Sequence, residues 1–184
     1  MLYRVFPYVP KHPARREGGA LFVPRQRQGT GRHDNPDRYG AMYVSREPEA
    51  AVAERIQAFR GQAITDEDLR RVDGSRYALV PLDDATLGGL VDLDDPAELA
   101  PRGLRASMVA NRNRSITQAM ALEVFGEGVA GFVWWSTLEA SWANVTLFAE
   151  RAVRRLHVAG RPEVLTVDLP VVRAAAEAIG VRLR

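Results

Sequence analysis

The chain has 184 residues, 46% hydrophobic and 26% charged, the size and balance of one globular domain, which excludes wholesale disorder. It has no cysteine, so disulfides, thiolate nucleophiles and cysteine-based metal centres are excluded. Its 25 basic residues face 23 acidic ones for a net charge of +2, and Lys11 is the only lysine among them.

In chain order, Leu2–Phe6 reads as a strand, followed by a loop over 7–38 rich in arginine, glycine and proline. Eight basic and three acidic residues lie between Met1 and Arg38, so this segment is cationic. Ala41–Ser45 is apolar and bounded by Gly40, which predicts a second strand. Ser45-Arg46-Glu47-Pro48 opens a helix to about Arg60, stopped by Gly61, with Val52, Ile56 and Phe59 as its apolar stripe. Thr65-Asp66-Glu67-Asp68 has the form of a capping box and predicts a short helix. Arg76–Leu82 and Leu90–Leu93 read as strands, flanking an acidic middle that runs from Asp83 to Glu98. Ser115-Ile116-Thr117-Gln118 caps a helix that ends near Phe125-Gly126. Ala130–Trp135 and Val145–Phe148 read as buried strands, and Pro170–Ile179 as a final helix. The irregular alternation predicts a single α+β domain over 1–184, with a compact mixed sheet and flanking helices.

The longest apolar run, Val129 to Trp135, is too short to cross a bilayer, and Leu2–Val5 leads into prolines and charges rather than a signal-peptide core. A cytoplasmic protein without a membrane is the expectation. There is no P-loop, no Gly-x-Ser-x-Gly elbow and no His-Glu-x-x-His. Three histidines without a His-x-x-x-His pair predict no metal site. Ser136, His157 and Asp168 are the residue types of a triad, but geometry defines a triad and inventory does not.

The informative stretches are Gly31-Arg32-His33-Asp34-Asn35-Pro36, Gly40-Ala41-Met42-Tyr43-Val44-Ser45 and Ala51-Val52-Ala53-Glu54. Arg32, Tyr43 and Glu54 recur at steps of eleven residues. Further on come Gly131-Phe132-Val133-Trp134-Trp135-Ser136 and Asn144-Val145-Thr146-Leu147-Phe148. In these residues, from Leu2 to Phe148, the sequence resembles the RES-domain family of toxins, usually encoded beside an Xre-type helix-turn-helix antitoxin. The resemblance implies an NAD⁺-consuming enzyme with an ADP-ribosyltransferase-like fold. It would break the nicotinamide–ribose bond and pass the ADP-ribosyl group to phosphate, water or a protein acceptor. NAD⁺ is then substrate, phosphate a possible co-substrate, and nucleic acid a partner only through the antitoxin. By position, the resemblance assigns Arg4, Arg32, Tyr43, Glu54 and Ser136 to one NAD⁺ cleft, with Glu54, Arg32 and Ser136 as its catalytic members. The family often has Trp-Asn after the second arginine, and here His33-Asp34 stands there instead.

Chemistry gives each residue a role and an ordinary alternative. Glycosidic cleavage develops positive charge on the ribose, which a fixed carboxylate such as Glu54 stabilises, although a glutamate opposite an apolar stripe is ordinarily just solvated. The Arg32 fork matches a pyrophosphate, although loop arginines are common in this chain. Arg4 lies on a strand, where a guanidinium can be aimed. Tyr43 offers a flat platform or simply core packing. Ser136 suits a hydrogen-bonding role better than a nucleophile, because no base accompanies it at recognisable spacing. Trp134 and Trp135 read as core and sheet packing. A second class of function is a non-catalytic, arginine-rich nucleic-acid-binding domain whose basic loop neutralises phosphates. Its marker would be steeply salt-dependent binding with NAD⁺ untouched.

Overall fold

Leu2 and Phe6 alternate with Tyr3 and Val5 along β1 (Leu2–Tyr8), and this period of two sends the pairs to opposite faces of a sheet. The computed structural model describes residues 1–184 and continues with β2 (Ala41–Ser45), α1 (Pro48–Ile56), β3 (Ala63–Ile64), β4 (Arg76–Asp83) and β5 (Leu90–Asp92). Next come α2 (Pro96–Leu99), α3 (Ala106–Val109), α4 (Arg114–Gly126), β6 (Gly131–Trp135) and β7 (Ala143–Phe148). The last elements are α5 (Ala149–Ala152), β8 (His157–Val158), β9 (Glu163–Val164), α6 (Pro170–Ile179) and β10 (Arg182–Leu183).

The main sheet has eight strands, ordered β5-β6-β7-β2-β1-β4-β8, with β9 also pairing with β4. Only β5 and β6 run parallel in it, so the sheet is mixed and the fold is α+β. β2 runs against β7 with Ala41 opposite Phe148 and Ser45 opposite Asn144. β6 lies close against β7 because Gly131 has no side chain; a Cβ there would strike the backbone of Thr146 and Leu147.

One face of the sheet carries a continuous apolar layer that includes Leu2, Phe6, Met42, Val44, Val80, Leu82, Val145 and Leu147. The other face is covered in two separate lobes. On one flank α4 brings Met120, Ala121 and Val124 against Val91, Phe132 and Phe148. On the other, α1 and α6 bring Val52, Ile56, Val172 and Ile179 against Leu79. Between the lobes β2 and β7 present Tyr43, Ser45, Asn144 and Thr146, and this polar strip interrupts the apolar seal.

The segment after β1 is irregular apart from one 3₁₀ turn, Arg25–Arg27, and is tied down by side chains. Gln28 pairs with both backbone groups of Ala41, at 2.9 Å and 2.6 Å, like a one-residue strand partner for the start of β2. Arg25 and Arg27 form ion pairs with Glu150 and Glu17.

One expectation is refined and two are corrected. The helix expected to about Arg60 does run to Phe59, but α1 itself ends at Ile56 and the last turn, Gln57–Phe59, is 3₁₀. The cap of α4 is Asn113, whose side chain accepts from the Ser115 N–H, two residues before the predicted cap. Thr65–Asp68 forms turns and no helix. Asp68 does accept from the backbone and hydroxyl of Thr65 at 2.8 Å and 3.1 Å, but Leu69 must enter the core and Arg70 must bridge to Arg76 at the start of β4. Those two long-range demands leave no length for a helix. No helix of the chain is long and apolar enough to cross a membrane.

Candidate functional site

The polar strip between the lobes is the floor of a cleft of about 290 Å³. β2 and β7 contribute Tyr43, Ser45 and Asn144, while β6 contributes Trp134. Glu54 descends from α1, Arg32 comes from the long loop, and Arg114 opens α4 on the opposite lobe. Arg55, next to Glu54 on α1, also lines it, so the cleft holds one carboxylate and three arginines, with Arg32 and Arg114 facing Glu54 across a floor of aromatic and amide groups.

Arg32 is held by neighbours from α4 and from the linker between α3 and α4. Its carbonyl accepts from the Thr117 hydroxyl, and its Nη1 donates to the Asn111 carbonyl at 2.6 Å. The guanidinium carbon stands 5.2 Å from the Trp134 ring centroid, a cation–π distance. Burial, then the like charge of Arg114, lowers the Arg32 pKa, and Glu54 and Tyr43 act in the opposite direction. Neither Arg32 nor Arg114 forms an ion pair. Two cations facing one cleft without a paired carboxylate are an arrangement that suits an anion with more than one charge.

The residues that depart from the family pattern build this wall. Asp34 accepts from the Gly29 and Gly31 N–H groups at 2.8 Å and 2.7 Å, and from the Tyr43 hydroxyl at 2.7 Å. A Cβ at Gly31 would lie 2.6 Å from the Asp34 carboxylate, so only glycine lets the loop wrap so closely. The Tyr43 hydroxyl also accepts from the His33 N–H at 2.9 Å. With its hydroxyl engaged on both sides, and its pKa raised by burial and then by Asp34, Tyr43 offers the cleft a ring face and no acid–base group.

His33 is fully buried, edge-on to Phe132 and Trp134 at 4.9 Å and 5.1 Å, with Nδ1 2.8 Å from the Thr146 hydroxyl and Nε2 unpartnered. Burial, then Arg32 and Arg114, pushes its pKa well below the ordinary histidine value. The native state therefore keeps His33 neutral while the unfolded chain protonates it. Stability is expected to fall as pH drops below about 6.5, with a slope of up to about 1.4 kcal/mol per pH unit from this residue. Urea unfolding of wild type and His33→Gln at a series of pH values checks this. A shallower slope for the variant is expected, and identical slopes would exclude His33 as the source.

The expectation that all five assigned residues line one cleft is corrected for two of them. Arg32, Tyr43 and Glu54 meet there. Arg4 is 8% exposed and donates to the carbonyls of Ala20 and Phe22 in the long loop, where burial lowers its pKa to about 10. Position 4 alternates onto the apolar face of the sheet with Leu2 and Phe6, so its guanidinium staples the loop and lines a neighbouring cavity. Ser136 is 3% exposed, and its Oγ accepts from the Leu138 N–H at 3.1 Å, closing the turn after β6. It borders a separate hollow, and the adjacent Thr137 reaches the cleft in its place.

Sequence reasoning missed Arg114, Ser45 and Asn144 as site residues and read Trp134 only as core. The alternating Asn111-Arg112-Asn113-Arg114 run was the available signal for the arginine. Polar residues inside two otherwise apolar strands, Ser45 in β2 and Asn144 with Thr146 in β7, were the signal for the other pair. No group of three or more histidine, aspartate or glutamate side chains is placed to hold a metal ion.

Residues 1–168 match the RES domain family, and the chain belongs to it. None of the curated proteins compared with the sequence matches it. Among solved structures, the chain is similar to one from the crystal structure of the M. tuberculosis MbcT–MbcA toxin–antitoxin complex. The TM-score is 0.62 at 17% identity, covering 96% of this chain and 87% of that one. The similarity lies in the fold.

Proposed function

We propose that the chain is the toxin of a toxin–antitoxin pair and consumes NAD⁺ in the cleft between the two lobes. The observation that carries this reading is the pairing of one carboxylate, Glu54, with two unpaired arginines, Arg32 and Arg114, across a cleft floored by Tyr43 and Trp134. The arginines suit the pyrophosphate, the aromatic faces suit the nicotinamide or ribose, and the carboxylate suits the reacting ribose carbon. In the step itself the nicotinamide–ribose bond breaks and its electron pair leaves with neutral nicotinamide. The ribose carbon becomes oxocarbenium-like beside Glu54 and is then captured by phosphate, water or a protein nucleophile. Family membership supports this chemistry, together with an Xre-type antitoxin partner, contact with nucleic acid only through that antitoxin, and a cytoplasmic setting. In this reading Arg4 and Ser136 serve the site from outside it, by anchoring the loop and the β6 turn.

Incubating the purified protein with NAD⁺, with and without inorganic phosphate, tests the reaction and separates the acceptors. Release of nicotinamide is expected, with a phosphorylated product if phosphate is the acceptor and free ADP-ribose if water is. An unchanged NAD⁺ pool would overturn the proposal. Arg25 and Arg27 being paired with carboxylates leaves the nucleic-acid reading with fewer free cations on the loop.

A further inference from the structure

Glu54 is the one anionic side chain of the cleft, and a carboxylate on a helix surface has rotational freedom that a charge-stabilising group must lose. Two side chains from the sheet remove it. Ser45 on β2 and Asn144 on β7 stand directly opposite each other in the antiparallel ladder and are 3% and 2% exposed. The Ser45 hydroxyl donates to Asn144 Oδ1 at 2.7 Å, and Asn144 Nδ2 donates to Glu54 Oε1 at 2.8 Å. The other carboxylate oxygen accepts from Gln57 Nε2 at 2.7 Å, one helical turn on.

The direction of this chain follows from chemistry. A carboxylate only accepts, so the asparagine must turn its NH₂ towards Glu54 and its carbonyl towards β2. A buried amide carbonyl then needs a donor, and the serine hydroxyl supplies it. An asparagine whose carbonyl is pinned in this way has one orientation left. Both residues sit on the sheet floor and are buried, unlike the exposed Gln57.

We propose that Ser45 and Asn144 are positioning residues that hold the Glu54 carboxylate in the orientation the reaction requires; this rests on the NAD⁺ reading of the cleft. Asn144 binds the carboxylate directly, and Ser45 acts through Asn144. The relay affects turnover more than substrate binding, because the arginines on the opposite wall hold the anionic part of the substrate without it.

Asn144→Leu removes both amide functions at similar size and is expected to lower kcat by about tenfold to a hundredfold, the worth of a hydrogen bond to a charged group. KM for NAD⁺ is expected to stay within about twofold, because this interaction is made away from the pyrophosphate. Ser45→Ala is expected to have a smaller effect in the same direction, and Ser45→Thr, which keeps the hydroxyl, to restore most of the activity. In the Glu54→Gln background, Asn144→Leu should add little, because the two residues act as a unit. Additive losses, or a loss seen mainly in KM, would overturn the relay. An arm that needs no substrate uses NMR of the Asn144 side-chain amide in the free protein. Slow hydrogen exchange is expected in the wild type and faster exchange in Glu54→Ala and Ser45→Ala. Unaltered exchange in both variants would overturn the relay whatever the cleft binds. Failure of the wild type to release nicotinamide would instead sink the NAD⁺ reading and leave the amide measurement to decide the relay.

Discussion

Glu54→Gln is expected to lower turnover by about a hundredfold to a thousandfold, or about 2.7–4 kcal/mol of transition-state stabilisation. The substitution keeps the shape and removes the charge that, in the proposed reaction, would face the developing oxocarbenium ion. The site tolerates it, because a glutamine oxygen can still accept from Asn144 Nδ2 while exposed Gln57 turns its own amide oxygen towards the new NH₂. NAD⁺ affinity should change much less, since the proposed binding mode puts the strongest ground-state contacts at the pyrophosphate. Single-turnover kinetics, with binding measured separately, distinguish the two quantities. Expression in a bacterium gives a coarser readout: wild type is expected to deplete NAD⁺ and arrest growth, and Glu54→Gln to be tolerated. A variant that consumes NAD⁺ at the wild-type rate would remove Glu54 from the mechanism.

Arg32→Ala should show the opposite emphasis. Losing a hydrogen-bonded, partly desolvated guanidinium costs about 1.5–3 kcal/mol of binding, or about tenfold to a hundredfold in Kd for NAD⁺. The loop is expected to keep its place, since the bond from the Thr117 hydroxyl goes to the Arg32 carbonyl, and Asp34 still gathers Gly29, Gly31 and Tyr43. Arg32→Lys restores the charge but not the two-pronged geometry and should recover only part of the affinity. Arg114→Ala is expected to weaken binding in the same direction, because both cations face the one cleft. Equilibrium titration with NAD⁺ checks all three variants. An unchanged Kd for Arg32→Ala would mean that the pyrophosphate lies elsewhere.

Sequence reasoning reached the long elements because their signals are local. The β2 and α6 bounds follow from an apolar run after Gly40 and from Pro170 followed by an apolar 3.6-residue period. Three residues that the family resemblance assigned were also legible as a group. Arg32, Tyr43 and Glu54 sit on a loop, a strand and a helix at even intervals, and the cleft brings all three together. The two-residue strands β3 and β10 were not legible, since a pair of residues has no period to read. Their parallel pairing joins segments more than a hundred residues apart.

By itself, the sequence determined an α+β chain without cysteine and the order of its main strands and helices. Only the tertiary structure decided which polar groups meet. It turned Arg4 onto the loop carbonyls, closed Ser136 into its own turn, made Thr65–Asp68 a turn, and set Ser45 opposite Asn144 beneath Glu54. The physical reason is that propensity and period act over a few neighbouring residues. Strand register and the docking of two helical lobes on one sheet face are instead settled by burying the apolar residues of the whole chain at once, and a one-residue slip would turn every side chain of a strand to the other face.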